Sequence, residues 1–207
     1  MNTILYRLKF TLGYAKWLLL SASLSCLLAC STMPATDTGF LSNRSALTAS
    51  EDGRRASYRA VLSIDPHNIV ATTVQWGAPE AAGFSAVEKD QLAATLREAL
   101  LGQLHALPKV SRGRAVVLRA AVTRVEAVSP ALNAVATVLL IGPLDRGGAA
   151  VEVEVLDAQT GQPLASYAAT HYAPLSEFAA RFTRLAPAEL ALKKLAGEFV
   201  QLVHNPG

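Results

Sequence analysis

The apolar positions along this chain change their period several times, and each change marks an element. Between residues 85 and 107, Val87, Leu92, Leu96, Leu100, Leu104 and Leu107 recur at helical intervals. Ser85 with Glu88 three residues on has the form of a capping box, and Pro108 closes the segment. A second helix is expected over 187–203, with Leu190, Leu195, Phe199 and Leu202 on one side and Pro187 in its first turn. Residues 58–64 and the β-branched stretch 69–76 read as extended, as do 115–125, 149–156 and 164–170. The last two are joined by the turn sequence DAQTG, in which Asp157 can bond its own backbone and Gly161 can take positive φ, so they form a hairpin.

Along 149–156, Val151, Val153 and Val155 alternate with Glu152 and Glu154, which places valines and glutamates on opposite faces of a strand. The expectation is an antiparallel sheet with one apolar and one wet face, the glutamates on the wet side with Arg119 and Thr123 as neighbours. The order strand, helix, strand, hairpin, helix gives an α+β fold, a mostly antiparallel sheet with two main helices packed on one face. Residues 131–144, ALNAVATVLLIGPL, are almost wholly apolar and fit either a buried element under the sheet or an exposed surface facing lipid or a partner. They are too few to span a membrane.

Composition narrows the class. Hydrophobic residues make up 51% of the 207 positions and charged ones 17%, which excludes a disordered chain. The formal charge of +3 suggests an anionic partner until it is counted by segment. Arg7, Lys9 and Lys16 lie in the first 29 residues, which hold no acid; the remaining chain has 16 basic and 16 acidic residues. No basic footprint for nucleic acid is left.

Those first residues comprise a basic region ending at Lys16, an apolar run over 17–28 and the small residue Ala29. This is the layout of a secretory signal, and the run is short of the ~20 residues a membrane span needs. Leu27-Leu28-Ala29-Cys30 resembles a bacterial lipobox, with Leu28 a departure at its middle position. That resemblance implies acylation of Cys30 by diacylglycerol and a further fatty acid such as palmitate, and cleavage that discards Cys26, so no disulfide is expected. Ser31 after the cysteine implies sorting to the outer membrane. The expected organisation is a signal peptide over 1–29, a flexible tether over 30–56 in which Phe40, Leu41 and Leu47 can dock back, and one domain over 57–207.

The stretch ALNAVATVLLIGPLDRGGAAVEVEVLDAQTGQPLAS, with TGFLSN and DPHNIVATTVQW upstream, resembles the bacterial lipoproteins grouped as domain-of-unknown-function family 3313. The resemblance implies a small envelope lipoprotein of Gram-negative bacteria and brings no catalytic residue or ligand.

Candidate chemistry is sparse. His67, His105, His171 and His204 fall on different elements without metal-ligand spacing, so neither a metal nor a cofactor is expected. His105, near a helix end, is placed to meet terminal carbonyls. Asp65-Pro66-His67 reads as a turn before it reads as an acid–imidazole pair. Glu152 and Glu154 stand about 7 Å apart along a strand face and read as solvated before they read as an acid/base pair. Arg146, Gly147 and Gly148 are a ligand-loop candidate, since glycines let backbone approach an anion, but entry into a strand explains the same glycines without a ligand. Three functions are consistent with this: a non-enzymatic interaction or scaffold lipoprotein at the outer membrane with a protein partner in the envelope, a lipid-handling or transport-accessory lipoprotein with 131–144 lining an acyl groove, and an envelope enzyme using His67 or the glutamates.

Overall fold

The computed structural model describes residues 35, 37–78, 83–111, 113–139, 142, 145–174 and 176–204. Residues 1–34, with both cysteines and the expected signal peptide, lie outside the described residues, as do Leu140, Ile141, Pro143 and Leu144 of the apolar stretch.

A six-stranded sheet is built from β1 (Thr48–Ala49), β2 (Arg55–Arg59), β3 (Ile64–Trp76), β4 (Arg114–Glu126), β5 (Gly148–Asp157) and β6 (Pro163–Tyr172), in the spatial order β1-β2-β6-β5-β4-β3. All neighbours are antiparallel except β3 and β4. That parallel pair follows from the intervening helix α1 (Ala86–His105), which carries the chain back to start β4 in the same direction. Helix α2 (Pro130–Val138) links β4 to β5, and α3 (Ala186–His204) ends the described chain. The expected α+β class, with two main helices on one face, is what the structure has.

The helices form where local chemistry asks for them. Ser85 Oγ accepts from Glu88 N while Ser85 N donates to the Glu88 carboxylate at 2.8 Å, closing the capping box. Of the leucines spaced along α1, Leu92, Leu96, Leu100 and Leu104 are buried, and they pack with Leu192, Leu195 and Phe199 of α3 over Val151, Val153 and Val155 of β5. Val87 stays exposed. The β5–β6 turn is tied as its residues require: Asp157 Oδ1 accepts from Gln159 N and Thr160 N, both at 2.9 Å, and Gly161 takes φ +70°.

The folded unit reaches back before residue 57. Residues 37–44 form a strap across the sheet face that the helices leave open, and β1 and β2 follow as an added edge. Leu41 is buried and Phe40 lies against Arg119, whose guanidinium sits 4.9 Å from the ring centre. The sheet therefore has no wet face at its centre, which corrects the sequence expectation. Its physical reason is the strap, supplied by a stretch more than a hundred residues upstream of β5.

Arg114 donates to Asp157 at 2.5 Å, and this bond, followed by the Thr160 N–H, holds the Asp157 carboxyl down at about 2. A depressed folded value means stability that is present above the ordinary carboxylate value of 3.8 and lost as pH falls toward 2. Urea midpoints should thus drop on acidification from about pH 5 to about pH 2. In Asp157→Asn the drop should be smaller, and an unchanged pH slope would show that Asp157 contributes nothing to it.

Candidate functional site

Glu152 and Glu154 stand at the middle of β5, the central strand, and neither has any solvent exposure. A buried carboxylate is costly unless donors surround it, and the strap provides them. Thr38 donates to Glu152 twice, from N at 3.1 Å and Oγ1 at 2.8 Å, and Arg44 Nη1 approaches the same group at 3.2 Å. Ser42 repeats the pattern on Glu154, N at 2.9 Å and Oγ at 3.0 Å, while Arg119, directly opposite on β4, donates at 2.8 Å. Asp37 holds Arg44 from the other side at 3.1 Å. The residues flanking Glu152 across the sheet, Ala121 and Ala168, are small and wholly buried, which leaves room for the strap to come down onto the sheet.

The expectation of Arg119 as a neighbour holds, and the expectation of a solvated face does not. Thr123 falls where the β4–β5 register slips, between Val122 and Arg124. Both oxygens of Glu152 are committed to the strap, and those of Glu154 to the strap and Arg119 of β4, so the pair works as a latch. It is closed to solvent.

The remaining candidates are dispersed. His67 is exposed, its Nε2 lies 2.8 Å from Leu107 O, and its ring stacks on His105 at 6.0 Å. Asp65 Oδ1 accepts from the His67 backbone N–H at 3.1 Å, a local turn bond at the irregular start of β3. His171 is half-buried on β6, and burial lowers its pKa. Among the described residues no group of three or more His, Cys, Asp or Glu is placed to hold a metal. At the β2 edge, Tyr167 donates to Glu198 at 2.7 Å, and burial followed by that bond raises the phenol's pKa. A cavity of about 400 Å3 opens beside this pair under β1. Arg59, Leu62, Pro66 and Val203 line another, of about 210 Å3.

Arg146, Gly147 and Gly148 lead into β5. Gly147 has φ +66°, and a Cβ there would come within 2.7 Å of Pro187 and 2.9 Å of Val128. One on Gly148 would meet His171 O at 2.5 Å. The close approach these glycines permit is thus to α3 and β6, while Arg146 lies over the Tyr172 ring at 5.5 Å.

Helix α2 is the feature whose polarity the sequence left open. Its buried residues are Asn133 and Ala136, while Leu132, Val135, Val138 and Leu139 are exposed. Of the two expectations for 131–144, the buried element under the sheet does not hold for the described part, most of which is exposed. Asn133 is the cause: its Nδ2 donates to Arg181 O at 2.8 Å and Asp145 O at 3.2 Å, and its Oδ1 accepts from Asp145 N at 2.9 Å. Ser129 caps the helix through Leu132 N. No helix among the described residues is long and apolar enough to cross a membrane.

The chain belongs to the family described as "Protein of unknown function (DUF3313)", whose model matches residues 36–199, as the stretch around β5 and β6 suggested. Among solved structures it is similar to the PelC dodecamer from Paraburkholderia phytofirmans, with 11% identity and a TM-score of 0.44 over 74% of this chain and 98% of that chain. A leucine-to-methionine variant of that dodecamer gives 12% identity, a TM-score of 0.44 and the same coverage. No curated protein matches it.

Glu154→Ala removes the acceptor of the Ser42 N–H and hydroxyl and the partner of Arg119, whose half-exposed guanidinium can turn to water. It should therefore lower unfolding free energy by about 1–3 kcal/mol. Amide exchange should rise at Ser42, which loses its acceptor. Ser166→Ala is the contrast, because its buried hydroxyl has no partner among the described residues, and its loss should be neutral or stabilising. Equal effects of the two substitutions would refute the latch.

Proposed function

We propose that this member of the family is an acylated envelope lipoprotein, held at the outer membrane through Cys30 and facing the periplasm, where it serves as a non-enzymatic interaction or scaffold module. The observation that carries this reading is the assignment of Glu152 and Glu154 to the latch. These were the best-placed carboxylates for acid/base work, and both are spent on fixing the strap. The ring of His67, the other catalytic candidate, meets a backbone oxygen and a second imidazole, and Asp65 accepts from the His67 backbone N–H.

The lipid-handling alternative needs 131–144 to line a groove. The described apolar residues of α2 stand out from the surface, and neither cavity above is lined by them. A neutral mature chain fits an anchor at Cys30, since acyl chains on one residue need no basic patch to hold a domain at a bilayer.

Cells expressing the full chain should incorporate labelled palmitate into it, and Cys30→Ala should abolish the label. In density fractionation the labelled protein should travel with outer-membrane markers. Label retained by the variant would overturn Cys30 as the anchor.

A further inference from the structure

The outer side of α2 has the composition of a protein interior. Leu132, Val135, Val138 and Leu139 are 44, 59, 81 and 64% exposed, and no charged residue lies within the helix. A helix on a globular domain ordinarily turns its apolar stripe inward. Here the polar Asn133 is inside, and three hydrogen bonds to Asp145 and Arg181 backbone atoms prevent the helix from rolling over. The exposed apolar side is thus a fixed property of the fold, and it calls for an apolar neighbour.

The path of the chain into the domain says which neighbour. Ala35 N donates to Gly53 O, and next to it Arg54 O accepts from Thr170 N. Thr170 faces Ala150 on β5, which faces Arg124 on β4. The chain therefore arrives at the end of the sheet where β4 finishes and α2 begins. β2 and β4 are three strands apart in the sheet, roughly 14 Å. Cys30 and Ala35 are five residues apart, and that much chain reaches about 18 Å at full extension. A lipid on Cys30 accordingly tethers this end of the sheet, and the opposite end, with the β5–β6 turn, is left away from the bilayer.

We infer that the α2 face formed by Leu132, Val135, Val138 and Leu139 is a membrane-docking surface, set into the interfacial layer of the bilayer that holds the Cys30 acyl chains. The inference rests on the proposed anchor at Cys30. An interfacial helix buries its apolar face about 5–10 Å into the boundary between headgroups and chains. The driving force is apolar burial and not charge, because Arg124 is already paired with Glu126 at 2.8 Å and the chain after residue 29 is formally neutral.

The test uses the full chain, acylated in a Gram-negative host and reconstituted in phosphatidylethanolamine–phosphatidylglycerol vesicles that carry a nitroxide high in the acyl chain. An environment-sensitive fluorophore is attached through Val138→Cys or, separately, Val135→Cys. The control is Val61→Cys, at a site 97% exposed in the β2–β3 connection at the far end of the sheet. Labels at 138 and 135 should shift to the blue and lose emission to the nitroxide, the label at 61 should do neither, and phosphatidylcholine vesicles should give the same result. Acylated protein, verified by mass, whose labels at 138 and 135 remain as wet as that at 61 would overturn the docking face alone. Quenching at all three sites, or quenching that requires phosphatidylglycerol, would also overturn it. A mass without acyl groups would overturn the anchor, and the docking face with it.

Discussion

Two carboxylates without solvent exposure, two residues apart on the central strand of a sheet, impose a condition on everything around them. Each must be met by donors that cost less to hold in place than the carboxylate costs to bury. Thr38, Ser42, Arg44 and Arg119 meet that condition with charge-assisted bonds, four of them from the hydroxyls and backbone amides of two strap residues. The order of causes runs from there. Glutamates on β5 fix the strap, the strap seals the second face, and a sheet covered on both sides can place small residues such as Ala121 and Ala168 at its centre without exposing backbone.

The two faces are therefore held by different physics. On the helix side, leucines of α1 and the apolar side of α3 lie over valines of β5, an interaction without direction that tolerates small shifts. On the strap side the contacts are few, short and directional. Apolar packing alone would let residues 37–44 slide along the sheet. Thr38 and Ser42, four residues apart, grip glutamates two residues apart on β5, and this sets a single register.

The parts of this fold that were legible in the sequence are those whose cause is local. The capping box at Ser85, the leucine spacing of α1, the valine alternation of β5 and the Asp157 turn each depend on residues within one element, and each is found as read. What escaped depends on distant residues. Period-two alternation separates Glu152 from Val151 but cannot say which face meets water, because the cover lies in a segment of low hydrophobicity upstream. The hint was there in TGFLSN, with hydroxyls at Thr38 and Ser42 on either side of the apolar pair Phe40 and Leu41. Likewise, the lone Asn133 in an otherwise apolar run marked the inward side of α2. An average over 131–144 hides it.

The latch also bears on how the domain would sit at a membrane. Were residues 30–56 a free linker, 27 residues of flexible chain would have a root-mean-square span of roughly 30 Å and a far greater contour, enough for the domain to turn any side to the bilayer. Docking the strap places Ala35 on the domain, five residues from Cys30. At full extension that many residues reach about 18 Å, comparable to the roughly 14 Å between the chain's point of entry and the strand that leads into α2. Burying Glu152 and Glu154 thus does more than close a sheet. By fixing where the described chain enters the domain, it selects the end of the sheet that the proposed anchor at Cys30 would face, and that end carries the helix whose apolar side is turned outward.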